Sequence, residues 1–268
     1  MINLLKIDLK RVFKDKLFLI VCIIAAAFGM FTPLLYKFLF GILEVEEAMM
    51  MVLDAKSLFF RSFAPGDNLG LIAPILIGIV LCKDFNQGTV RNKLICGKSR
   101  TSVFLSMFIT CAIVLNIVMM LNALITLGFS LLFFDYQADP FTMKDFGYLL
   151  LSVGLEILVY VFIGALIAWL CVSMKNVGLV IVLYVAISFV FVIIGSVTSV
   201  ALQMSAETGT ATYKVLEFLS NINIFTSTVI GSGSYGAKEL AYVLVPGLGG
   251  AALFAGLGIA VFKKKDLK

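Results

Sequence analysis

The sequence has no histidine, and only 14% of its 268 residues are charged. Without histidine the commonest general base and the commonest zinc ligand are missing, so hydrolytic or metal chemistry has little to build on. The five cysteines, Cys22, Cys82, Cys96, Cys111 and Cys171, form no CxxC pair and show no ligand spacing, which argues against a metal centre or a disulfide framework. They read as reduced packing residues, since all fall within apolar runs or in the loops assigned below to the cytoplasm. No paired carboxylate stands within an apolar run, and no serine has a base to activate it, so the sequence offers no catalytic residue.

Hydrophobic residues are plentiful. They make up 61% of the chain, and the mean hydropathy is +1.08, so water is not its main solvent. A helix crossing about 30 Å of hydrocarbon needs roughly 20 apolar residues. Runs of that kind read as spans over residues 17–36, 69–83, 103–134, 147–172, 177–202 and 239–262. The expected fold is all-α, a single domain over residues 1–268 forming an integral membrane bundle of six transmembrane helices. Pro33 falls near one end of the first span, and Pro74, between Gly70 and Gly78, predicts a kink in the second. Gly247, Gly249, Gly250, Gly256 and Gly258 in the last span predict close helix approach.

Residues 1–16 place Ile2, Leu5, Leu9, Val12 and Phe13 at helical spacing, with Lys6, Lys10, Arg11 and Lys14 largely opposite. This predicts an amphipathic helix lying at the membrane interface. Ala25-Ala26-Ala27 imitates a signal-peptide cleavage site, but the basic stretch is long, contains Asp8 and Asp15, and precedes many further spans. Of the 21 lysines and arginines, 15 fall on the side of the termini and 6 on the other. The positive-inside rule therefore places both termini in the cytoplasm. The net charge of +5 sits in clusters beside apolar runs, which suits lipid headgroups and topology and gives no reason to invoke nucleic acid.

Gly231-Ser232-Gly233-Ser234-Tyr235-Gly236 matches the dinucleotide fingerprint, yet a span follows it in place of an amphipathic βαβ helix. No nucleotide site is assigned there. The informative segment is the loop over residues 84–100. Gly88 is placed to break the preceding helix, Thr89 to cap a new one and Gly97 to end it, with Val90 and Leu94 four apart on one face. Such a short helix beneath the bilayer suits a groove on a cytoplasmic partner or, equally on spacing alone, a basic headgroup tether.

Asp84, Gly88, Thr89, Arg91, Leu94, Ser99 and Arg100 together resemble the intracellular loop of ABC-2-type permeases, whose usual form is an acidic residue, Gly-Thr, Arg, Leu and a late Ser-Arg. Asn86-Gln87 departs from that pattern, where further charge is common. The layout, with its basic amino-terminal helix, six spans, cytoplasmic ends and an external segment at 203–238, is similar to the same family. The resemblance implies the membrane subunit of a bacterial plasma-membrane exporter, acting as a dimer with a second copy or a paralogue. A separate ATPase subunit would bind ATP and Mg, so this chain needs no cofactor of its own. Asp84, Gly88, Thr89, Val90, Arg91, Leu94 and Arg100 would couple to that ATPase. The substrate would be hydrophobic or amphipathic, an antimicrobial peptide or a drug. Glu156 and Asn122, at similar depth, are the candidate residues of the substrate path, with Glu156 expected on a cavity or dimer face. The alternative is a secondary transporter or channel working without an ATPase, for which Glu156 is again the chief polar group. The run 222–230 is apolar but too short to span, and is expected to fold back over the outer mouth.

Overall fold

The computed structural model describes residues 1–42, 54–66, 70–135, 142–174, 176–204, 210–226 and 236–265. Glu44, Glu46, Glu47, Lys175, Val229 and the fingerprint residues before Gly236 lie outside the described residues. Among the described residues all regular structure is helical. Helix α1 covers Ile2–Lys14. Asp15, in extended conformation, separates it from α2, Lys16–Ile42, which runs unbroken through Ala25–Ala27 and past Pro33.

Among the described residues five helices are long and apolar enough to cross a membrane: α2 over Lys16–Leu39, α6 (Arg100–Ser130), α7 (Met143–Met174), α8 (Val177–Met204) and α10 (Ala237–Lys264). The expected second span is helix α4, Ile72–Asn86, of 15 residues, about 22 Å at 1.5 Å per residue. That is short of a full hydrocarbon crossing. Pro74 does not kink it. Leu71 is the N-cap, so Pro74 sits in the first turn, where a missing N–H leaves no helical bond unmade.

The α6–α7 antiparallel hairpin is the most buried part of the bundle, because small residues let its backbones meet. A Cβ on Gly164 would lie 3.1 Å from the Ala112 Cα and N, and the surrounding Val114, Leu115, Val118, Val159, Ile163 and Ile167 fill the seam. Helix α10 crosses this hairpin with Gly247 against Leu158, Gly250 against Phe162 and Gly258 against Phe104, while Gly249 and Gly256 face open space. Only three of the five glycines of this helix therefore serve close approach. Helix α2 packs on α6 with Gly29 over the Asn122 carbonyl, where a Cβ would come within 2.8 Å.

At the end remote from α1, two short segments turn inward. Helix α3, Ala55–Arg61, is capped by Asp54, whose carboxylate accepts from the Ser57 N–H at 2.7 Å. It buries Leu58, Phe59 and Phe60, and Phe63 follows them into the core. Helix α9, Ala211–Ile222, has no buried residue, but Ile224 and Phe225 after it are buried. The Phe225 ring stacks on Phe191 of α8 at 5.5 Å and meets Phe162 of α7 edge-on at 6.4 Å. Asn223 fixes that insertion by donating to the Phe191 carbonyl at 2.6 Å. The described part of 203–238 thus folds back into the bundle at Ile224.

Candidate functional site

The loop 84–100 turns at its two glycines as expected, but the cap of its helix is Gly88 and not Thr89. Gly88 at φ 69° and Gly97 at φ 78° occupy the left-handed region that a side chain resists. Between them Thr89–Ile95 forms helix α5, with Gly88 as N-cap and Thr89 as its first residue. At the other end the Gly97 N–H donates to Leu94 O at 2.9 Å and the Lys98 N–H to Lys93 O at 3.3 Å, a Schellman closure. Ser99 then caps α6 by accepting from the Ser102 N–H at 3.2 Å.

Much of this loop is spent holding the chain together. Val90 is 1% exposed and packs with Leu4, Phe104 and Phe262, and the partly buried Leu94 lies against the same cluster. The apolar pair anticipated to meet a partner therefore faces its own bundle. Asp84 is buried and ion-paired with Arg11. Arg100 donates from Nη1 to the carbonyls of Phe262, Lys263 and Lys265 at 3.0, 2.9 and 2.7 Å, closing the end of α10. Four of the seven expected coupling residues, Asp84, Val90, Leu94 and Arg100, are thus engaged within the chain. The exposed face of α5 consists of Arg91, Asn92 and Ile95, the last 73% exposed. Sequence reasoning missed Ile95, although it lies four residues from Arg91 on the face opposite Val90.

Helix α1 is more than an interfacial float. It buries Leu4, Asp8 and Val12 while Ile2, Ile7 and Phe13 stay exposed, so one face meets the bundle and another the surroundings. Asp8 Oδ1 accepts from Lys93 Nζ at 2.5 Å and Oδ2 from Ser106 Oγ at 2.6 Å, joining α1 to α5 and α6. At the α1–α2 joint Asp15 accepts from the Leu17 N–H at 2.9 Å and pairs with Lys83 at 3.2 Å. The Leu17 N–H holds the Asp15 carboxyl below its ordinary value against the opposing effect of burial, and Lys83 and Arg11 add to the lowering.

Glu156 and Asn122 are both 0% exposed. Taking Gly164 over Ala112 as the register, they lie about 12 and 15 Å along their helices from that contact, so their depths differ by about 3 Å. No hydrogen bond joins them. Neither Glu156 oxygen nor either Asn122 amide atom has a hydrogen-bond partner, and the Tyr160 hydroxyl one turn from Glu156 has none. Glu156 lies inside the bundle, away from any exposed face, and lines neither of two hollows in the chain. One hollow, of about 450 Å³, is an apolar furrow between Phe108, Ala112 and Asn116 of α6 and Ile157 and Val161 of α7. Among the described residues no cluster of metal-ligating side chains occurs.

No protein family matches the chain, and no curated protein does.

Proposed function

We propose that the chain is the membrane subunit of an ABC-2-type exporter in a bacterial plasma membrane. On this reading α4 supplies a sixth, short span, both termini are cytoplasmic, and a second copy or a paralogue completes the permease. A separate subunit binds ATP and Mg, and the exported substrate is hydrophobic or amphipathic, an antimicrobial peptide or a drug. The observation that carries the reading is helix α5. It is bounded by two left-handed glycines, anchored by Val90 and Lys93, and presents Ile95 outward beside Arg91 and Asn92. A basic tether for headgroups would need no such rigid mounting. An exposed apolar residue beside a cation suits an apolar notch on a partner with an acidic rim.

The buried, unpartnered Glu156 favours a second reading, a secondary transporter that uses an ion-coupling carboxyl. The two part on one measurement. Tagged chain purified from its native membranes in mild detergent should carry Mg-dependent ATPase activity in proportion to its amount. Purification to homogeneity from those membranes with no ATPase activity would favour the secondary transporter.

A further inference from the structure

A second hollow, about 240 Å³, lies where α1, the start of α2 and the end of α4 meet, and its wall differs in character from the apolar furrow. Arg11, Lys14 and Lys83 line it together with Asp15, Asp84 and Gln87, three cations against two carboxylates. Both carboxylates are already engaged, Asp84 with Arg11 Nη2 and Asp15 with Lys83 and the Leu17 N–H. Arg11 Nη1, by contrast, is buried without a hydrogen-bond partner. Lys14 is exposed at the rim, and no ion pair with it occurs among the described residues. Guanidinium and ammonium groups can only donate, so what the hollow lacks is an acceptor, and its net charge calls for an anionic one.

The size and position of the hollow select among anions. It is several times the roughly 30 Å³ share of one water. Asp15 in its wall leads directly into α2, whose first turns expose Leu19, Ile20 and Ile23, so a ligand seated in it would have an apolar helix at hand along which to lay a chain. We propose that this hollow binds a phosphate-bearing anion, the headgroup of an anionic phospholipid. Its phosphate accepts from Arg11 Nη1 and Lys14, and its acyl chains run along α2. Arginine suits this role because its fork presents a second N–H while the first stays on Asp84. A zwitterionic headgroup is disfavoured because its own ammonium would face Lys14 and Lys83. The site binds α1 to the membrane and to α4 together, so lipid composition would act on the segment from which α5 hangs.

Native mass spectrometry of the detergent-solubilised chain, titrated with phosphatidylglycerol, phosphatidylcholine of the same acyl chains, or inorganic phosphate, tests this. Arg11 also holds Asp84, so the informative variants are Lys14→Gln and Gln87→Glu at exposed positions. Lys10→Gln is the control, with the same charge change on the same helix outside the hollow. Phosphatidylglycerol should be retained in preference to phosphatidylcholine, and each cavity variant should weaken it about five-fold, as expected for one charge at a membrane surface. Lys10→Gln should leave it unchanged. Binding of inorganic phosphate with the same dependence on Lys14 and Gln87, and no gain from the lipid, would keep the anion chemistry and assign it to free phosphate. Equal retention of the two lipids with no phosphate binding, or a loss in Lys10→Gln as large as in the cavity variants, would overturn the proposal.

Discussion

A carboxylate on the buried face of an amphipathic helix must find its donors within the protein, and Asp8 finds two, Lys93 and Ser106. With Lys93 9% exposed and Asp8 2%, the pair is in the regime where losing one partner leaves an uncompensated charge, at a cost of about 3–5 kcal/mol. Replacing both with apolar groups of similar size is often neutral. Asp8→Asn or Lys93→Met alone should therefore lower the midpoint of thermal unfolding in detergent, and Asp8→Leu with Lys93→Met should recover most of the loss. This pair was not legible in the sequence. Its members are 85 residues apart, and a reading of α1 that ranks apolar against charged positions assigns Asp8 to water. The same limit hid Arg100, whose three acceptors lie more than 160 positions away.

Element boundaries were more open to sequence reasoning, because local chemistry sets them. Gly88 and Gly97 bracket α5 as their backbone freedom suggests, and the long apolar runs became α2, α6, α7, α8 and α10. What failed was the choice of face. On a seven-residue helix with Val90, Leu94 and Ile95 as its apolar residues, the pair four apart was assigned to a partner, whereas the chain packs that pair, Val90 fully and Leu94 partly buried, against its own Leu4 and Phe104 cluster. Pro74 was misread for a related reason, since its effect depends on where the helix starts, and residues 67–71 give no strong start signal. The αL turn at Gly88 carries its own test. A Cβ there meets nothing within 4 Å, so any loss in Gly88→Ala comes from backbone conformation alone, about 1–2 kcal/mol. Circular dichroism melts should show that loss with the native helix content retained. A variant as stable as the parent would mean that the loop readily takes another turn.

Across the whole molecule, both ends are tied by named contacts. Near α1 the chain is held chiefly by ion pairs and carbonyl clasps: Asp8–Lys93, Arg11–Asp84, Asp15–Lys83, and Lys265 donating to Val172 and Ser173. At the remote end the aromatic rings of Phe59, Phe63 and Phe225 close the bundle together with the Lys56–Asp145 ion pair. Between them lie Glu156, Asn122 and Tyr160, whose unpartnered polar atoms each cost about 1–3 kcal/mol while buried. On the proposed exporter reading, this bundle would alternate between closed and open states. The account requires that motion to be driven through α5, and Ile95 is where a partner would grip. Ile95→Asp alters a side chain that is 73% exposed, so insertion and thermal stability should match the parent. A charge placed in a desolvated contact costs several kcal/mol. The deciding measurement is the ATPase activity that co-purifies with Ile95→Asp relative to the parent and to Ile95→Val. The account predicts a loss of ten-fold or more in Ile95→Asp and near-parental activity in Ile95→Val, whereas full retention in Ile95→Asp would contradict it.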